Sequence, residues 1–197
     1  MYPSITTVLS LRKKQGLSEW RKRVGEDVAN HIARTAANRG TKVHQMCEDF
    51  LNNKEVTKDN RDFLPYCLFT QIKDVIKTNI NNIYAQECGL WSDKYKVAGR
   101  VDCIAEYNKE LAIIDFKTSK KPKPRDWIEH YFVQCMAYGC MLYELTGISV
   151  KKLVIIMSCE NGECIVYEEY NKAKYIKLLG EYINKFVQDK LELYGTE

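Results

Sequence analysis

The chain of 197 residues has no apolar run approaching the length of a bilayer span, which excludes a transmembrane helix as its organising element. It has no internal repeat, no low-complexity tract and no linker long enough to divide it, so a single domain over residues 1–197 is expected. None of its eight cysteines forms a CxxC pair, and most lie in apolar runs where cysteine acts as a small hydrophobe. Free thiols in a reducing compartment are the reading. The opening Met1-Tyr2-Pro3-Ser4 is neither charged nor followed by an apolar core, so no signal peptide is expected and a cytoplasmic setting is. Charge is lopsided only mildly: the formal net charge of +4 permits a polyanionic partner without demanding one. Hydrophobic (45%) and charged (28%) fractions are ordinary, which excludes disorder or a coiled coil for the bulk of the chain.

What is present centres on Val97–Lys123. Two β-like runs, Val97 to Tyr107 and Leu111 to Thr118, flank a turn at Asn108-Lys109-Glu110. Each carries an aspartate, Asp102 and Asp115, and Lys117 falls on the same side of its strand as Asp115 because side chains alternate. Charges of opposite sign inside an apolar strand need partners, since burying them unpaired is costly. Two aspartates meeting on neighbouring strands make a hard-oxygen pocket suited to Mg²⁺ or Mn²⁺, one or two ions. Lys117 beside it is placed to orient or help deprotonate a metal-bound water and to offset charge on a phosphorane-like transition state. DxK alone is a weak signal; an apolar strand ending in DxK, with GxxD about a dozen residues earlier on its hairpin partner, is selective.

The flanks read as helices. Leu17 to Arg39 is predicted helical, capped by Ser18, with Trp20, Val24, Val28 and Ile32 at fourfold spacing and a break at Gly40. Thr41 opens a second helix with Val43, Cys47, Phe50 and Leu51 as its apolar stripe and His44 beside it. A third covers Asp62 to Asn82 on Leu64, Leu68, Ile72, Val75, Ile76, Ile80 and Ile83, with Pro65 tolerated in its first turn. A β-like run from Ile83 to Trp91 contains Glu87. After the hairpin come a helix from Arg125 to Leu145, a continuously apolar strand Leu153 to Met157, its antiparallel partner Glu163 to Tyr167 across Asn161-Gly162, and a helix from Lys172 to Lys190. The order predicts an α/β fold, mainly helical over 1–84, with a mixed sheet between helices over 85–197.

Other candidates surround the hairpin. Glu87 either supports the metal ligands from behind or pairs with Arg100. Gln134 and Tyr138 share a helix face, as substrate contacts or as helix-on-sheet packing. Lys120, Lys121, Lys123 and Arg125, followed by Trp127 and Tyr131, form a basic, aromatic loop suited to single-stranded nucleic acid, where charges track phosphates and rings stack on bases.

Gly99-Arg100-Val101-Asp102, Ile113-Ile114-Asp115-Phe116-Lys117-Thr118, the QxxxY of Gln134 and Tyr138, and the GxxxH of Gly40 and His44 together resemble the PD-(D/E)xK nuclease superfamily, RecB-like branch. Within that branch the hairpin and the basic run after it are similar to mitochondrial genome-maintenance and phage-encoded exonucleases. The resemblance implies a restriction-endonuclease-like core and a DNA phosphodiesterase. It implies an ion held by His44, Asp102, Asp115 and the backbone carbonyl of Phe116, with Lys117 at the attacking water and Gln134 and Tyr138 near the strand. It also implies helices over the site, which favours threading of a single-stranded end by a monomer. The alternatives left open are an endonuclease or recombination-type duplex exonuclease of the same superfamily, and a catalytically inactive nucleic-acid-binding module. Some relatives hold an iron–sulfur cluster; Cys159 and Cys164 lack a third close neighbour, so none is expected here. With no targeting presequence, a phage or bacterial cell is the expected setting.

Overall fold

The computed structural model describes residues 2–10, 14–59 and 62–194. A mixed five-stranded sheet lies between two helical layers, with strands in the order β1 (Ile80–Ser92), β2 (Val97–Tyr107), β3 (Glu110–Ser119), β4 (Lys152–Cys159) and β5 (Cys164–Glu169). All neighbours are antiparallel except β3 and β4, which are parallel and are joined by the crossover helix α5 (Glu129–Thr146). The β2–β3 hairpin closes on Asn108 and Lys109, both at positive φ (51° and 65°), the backbone of a two-residue I′ turn. Glu110, read as part of that turn, instead begins β3 opposite Tyr107. The inner strand β4 is buried along its whole length, as its apolar run Leu153 to Met157 requires.

One face of the sheet is covered by α3 (Glu26–Leu51) and α4 (Phe63–Asn79). Val43, Cys47, Leu68, Phe69 and Ile72 of these helices pack on Cys103, Ala105, Ile114, Phe116, Val154 and Ile156. The other face carries α1 (Ile5–Ser10), α5 and α6 (Lys172–Tyr194), with Ile5, Val8, Phe132, Met141, Tyr175 and Leu179 against Ile104, Ile113, Leu153, Ile155 and Met157. Ser4 starts α1 by accepting the Thr7 N–H at 3.1 Å, and Ala98 N–H donates to Pro3 O at 3.0 Å, which docks α1 on the sheet beside β2. Among the described residues no helix is long and apolar enough to cross a membrane. All eight cysteines are free thiols.

Three expectations are corrected. The chain breaks at Gly25 (φ 89°), not at Gly40: α2 spans Lys14–Val24, and α3 runs unbroken through Gly40. Ser18 therefore lies inside α2 rather than capping it, and Val28 is exposed. A glycine inside a helix costs about 1 kcal/mol, which burial of Val43, Cys47 and Leu51 beyond Gly40 outweighs. The third predicted helix stops at Asn79, because Ile80 is already in the first residue pair of β1 with Tyr107. Ile83 is then a half-exposed strand residue and Leu64 an exposed helical one. The helical part accordingly ends before residue 84. Finally, Arg125–Ile128 form a 3₁₀ turn ahead of α5.

Candidate active site

The site lies where β2 and β3 part company. Their ladder runs from Tyr107–Glu110 to Cys103–Ile114 and ends there. Beyond it β2 stays with β1, while β3 stays with β4 as far as Ser119. The backbone N–H of Phe116, released from the ladder, donates to Asp102 Oδ2 at 2.9 Å. Its carbonyl oxygen faces His44 Nε2 at 2.7 Å, and His44 Nδ1 stands 3.5 Å from Asp102 Oδ2. Lys117 Nζ lies 2.5 Å from Asp115 Oδ2. His44, Asp102, Asp115, Phe116 and Lys117, separated by up to 73 positions in sequence (117 − 44), thus share one opening in the sheet.

Asp115 is only 1% exposed, and neither of its oxygens has a directed hydrogen bond. Burial pushes its carboxyl up to about 6, with Lys117 pulling down and Asp102 pushing up. Burial also opposes the charge on Lys117, but Asp115 and Asp102 more than offset this, so its ammonium is held more firmly than usual. Asp102 is raised by burial and lowered further by His44, Lys117 and the Phe116 N–H, so it ends below its ordinary value. His44 ends above its ordinary value because Asp102 outweighs burial. The buried carboxylate of Asp115, the neighbouring Asp102, the Phe116 carbonyl and the His44 imidazole form an oxygen-rich donor set that fits a hard divalent ion.

Glu87 has the Arg100 partner that the sequence left open and also stands close to the candidate ligands. It pairs with Arg100 (Nε to Oε2, 2.9 Å), whose Nε also donates to the Glu87 carbonyl at 2.9 Å. It also stands between the Gln86–Cys103 and Cys88–Val101 pairs, across from Asp102, in a left-handed conformation (φ 44°). There its carboxylate lies within 4.8 Å of the ligand atoms of His44 and Asp102. It is thus a potential direct ligand, a role no sequence motif singled out because the positive φ that turns it inward has no sequence signature in a glutamate. Asp115 lies outside this trio, its Oδ2 turned to Lys117. A cleft of about 340 Å³ lined by Gly40, Thr41, His44, Gln45, Glu48, Glu87 and Arg100 reaches two of the trio, His44 and Glu87.

Gln134 Nε2 donates to Tyr138 Oη at 3.2 Å. Tyr138 is buried and packs over Gly99: a Cβ there would lie 2.7 Å from Tyr138 Cε1. Lys120 and Lys121 are exposed. Lys123 Nζ bonds Tyr131 Oη at 3.2 Å and its carbonyl accepts from Tyr167 Oη at 2.7 Å. Arg125 is drawn away, to Glu169 at 2.8 Å and the Glu168 carbonyl at 2.9 Å, with its guanidinium over the Phe132 ring. Tyr131, by contrast, comes into the site, its ring centroid 5.1 Å from Lys117 Nζ. Its place next to the basic loop was the only sequence signal for it.

A sheet that splits to bring together two aspartates and a DxK lysine between helical layers is the arrangement of a nuclease core, and the chain belongs to the PD-(D/E)XK nuclease superfamily, whose model matches residues 15–188. It is similar to mitochondrial genome maintenance exonuclease 1 of Homo sapiens (28% identical over 173 residues, 81% of this chain and 50% of that protein) and of Mus musculus (31% over 130 residues, 62% and 38%). It is also similar to one of the subunits of the ATP-dependent helicase/nuclease of Clostridium kluyveri (33% over 89 residues, 45% and 7%), which supports the RecB-like branch. The chain thus spans half or less of the length of these relatives. A crystal structure from Eubacterium rectale, provisionally assigned as an exonuclease, shares the fold with a TM-score of 0.54 at 11% identity, over 80% of this chain and 66% of that one.

Proposed function

We propose that this nuclease hydrolyses DNA from single-stranded ends with Mg²⁺ or Mn²⁺. The observation that carries the reading is the convergence of His44, Asp102, Asp115, the Phe116 carbonyl and Lys117 at the split between β2 and β3. His44, Asp102, Asp115 and the Phe116 carbonyl would hold the ion, with Glu87 near enough to join them. When bound, such an ion polarises a phosphoryl oxygen and lowers the pKa of water. Lys117, whose proton is held tightly, acts as a cation: it positions the attacking water, whose proton passes to solvent, and offsets the negative charge that builds on the phosphoryl oxygens, while the oxygen of the severed P–O bond takes up a proton from solvent.

Preference for single strands is supported by what borders the opening. On one side α3 passes over the end of β3, with Gly40 beside Thr118 and Arg39 paired to Glu160 in the β4–β5 turn. At the exit of β3, exposed Lys120 and Lys121 lie in a loop that leads to Trp127, which is 69% exposed. Cations for phosphates and a free ring for bases suit an unpaired strand. The kinship to exonucleases of mitochondrial genome maintenance agrees with DNA as the substrate. The test is release of nucleotides from a labelled single strand with and without Mg²⁺, in the natural protein and in Asp115→Ala. Activity that survives chelation and the substitution would overturn the reading.

A further inference from the structure

On the face of the sheet opposite α3, a second and smaller cleft opens between α1 and α5. It encloses about 190 Å³ and is lined by Thr6, Leu9, Ser10, His130, Tyr131 and Gln134. That is below the ~300 Å³ at which drug-sized pockets begin, and it is room for a single planar ring system. We propose that this cleft takes the nucleobase next to the scissile phosphodiester, with Tyr131 as its stacking platform. The proposal rests on the reading of the chain as a nuclease for single strands.

Three observations meet here. The first is position: the Tyr131 ring is 5.1 Å from Lys117 Nζ, so a base against Tyr131 brings its own phosphate to the lysine of the DxK motif. Lys123, bonded to the Tyr131 hydroxyl and 5.5 Å from its ring centroid, adds a second cation beside the ring. The second is chemistry. One wall is aromatic, Tyr131 with the His130 ring 4.0 Å away; the floor is the aliphatic Leu9; the rim carries the hydroxyls of Thr6 and Ser10. The amide of Gln134 gives its N–H to Tyr138, which leaves the carbonyl oxygen to accept from a base edge. Aromatic face, apolar floor and polar rim together match a nucleobase, which is apolar on its faces and polar at its edge.

The third is rigidity. α1 has only six residues, yet Ile5, Val8 and Leu9 are buried, and its start is tied to β2 through Ser4–Ala98. Ile5 and Tyr138 both press on Gly99, so both walls of the cleft are seated on the strand that carries Asp102. A pocket built this way holds its base in fixed relation to the carboxylates, which is what positioning for in-line attack requires.

The test is equilibrium binding, in chelator, of a labelled single strand and of a series in which one abasic residue is moved along it. The full chain is expected to bind about tenfold more weakly when the abasic residue occupies one particular position, the loss of one base–aromatic stack. Tyr131→Ala is expected to bind the intact strand and that abasic strand equally, and Tyr131→Phe to discriminate like the natural protein. Ser10→Trp, at an exposed position on the rim, fills the cleft without touching the core and should abolish discrimination as well. Uniform binding across the series, discrimination that persists in Tyr131→Ala and Ser10→Trp, or no binding of the strand at all would each overturn the proposal. The two readings fail separately. Strands hydrolysed with no sensitive position remove the cleft and leave the nuclease; a Tyr131-dependent sensitive position without hydrolysis in Mg²⁺ or Mn²⁺ does the reverse.

Discussion

Gly99 lies directly beneath the ring of Tyr138, and no side chain fits between them: a Cβ at Gly99 would stand 2.7 Å from Tyr138 Cε1 and 3.1 Å from both its hydroxyl and Ile5 Cγ2. The glycine of the GxxD motif and the tyrosine of the QxxxY motif are therefore one packing unit. It locks α5 and α1 onto the strand that presents Asp102.

Gly99→Ala is expected to destabilise the fold by about 1–3 kcal/mol, the usual cost of overpacking, seen as a fall of several degrees in Tm. Tyr138→Leu removes the ring that the new methyl meets. The double variant should recover at least about 0.5 kcal/mol relative to the sum of the single ones. Strict additivity in thermal or urea unfolding would show that the two residues do not press on each other.

Lys117→Ala is expected to lower kcat by about 10²–10⁴, in the range of other positioned proton and charge groups, while affinity for the strand changes little. The side chain meets Asp115 at 2.5 Å, and on the proposed reading it serves the reacting centre rather than the ground-state complex. Single-turnover rates at saturating enzyme, beside filter-binding constants in chelator, separate the two. A loss confined to binding would assign Lys117 to the substrate backbone instead.

Affinity for Mn²⁺ should fall as pH drops from 7.5 to 5. The Asp115 carboxyl, pushed up to about 6 by burial, takes a proton below that pH and would then no longer serve as the proposed ligand. His44, held above its ordinary value by Asp102 despite burial, is protonated over the same window. Protons compete with the ion at both sites, so affinity is lost on the acid side and retained on the alkaline side. The fall should be steeper than tenfold per pH unit at the acid end. Calorimetric titration at a series of pH values checks this, and His44→Ala should flatten the slope by about one proton.

Arg125 and the lysines before it should separate cleanly. Lys120→Ala with Lys121→Ala is expected to weaken binding of single strands and to reduce the salt dependence, by about 0.7 in log–log slope for each phosphate that is no longer neutralised. Arg125→Ala should leave that slope unchanged and lower stability instead, because its guanidinium is held by Glu169, the Glu168 carbonyl and the face of Phe132.

Much of the site was readable in the residues, because DxK, GxxD, GxxxH and QxxxY each mark a backbone place as well as a chemical group. Asp102, Asp115, Lys117 and His44 come together in the structure, and the roles given to them stand as proposals. The β2–β3 and β4–β5 hairpins followed from apolar runs and the turns at Asn108-Lys109 and Asn161-Gly162. What escaped depends on tertiary packing. Gly40 reads as a helix breaker, but buried Val43 and Cys47 carry α3 through it, while Gly25, no stronger a signal, takes the positive φ. Ile80 and Ile83 continue the helical period of α4, yet pairing with β2 claims them. Glu87 turns inward at φ 44°, which its residue type gives no reason to expect. Arg125 belongs by composition to the basic loop and by contact to β5.

Entry of a free single-stranded end into this site is tested most directly by a time course on two substrates in Mg²⁺. They are a linear single strand labelled at either end and a closed circular single strand of the same sequence, with Asp115→Ala in parallel. Progressive shortening of the linear strand, an intact circle, and neither product with Asp115→Ala are expected. Cleavage of the circle at a comparable rate would contradict entry by a free end, and shortening by Asp115→Ala would contradict the site itself.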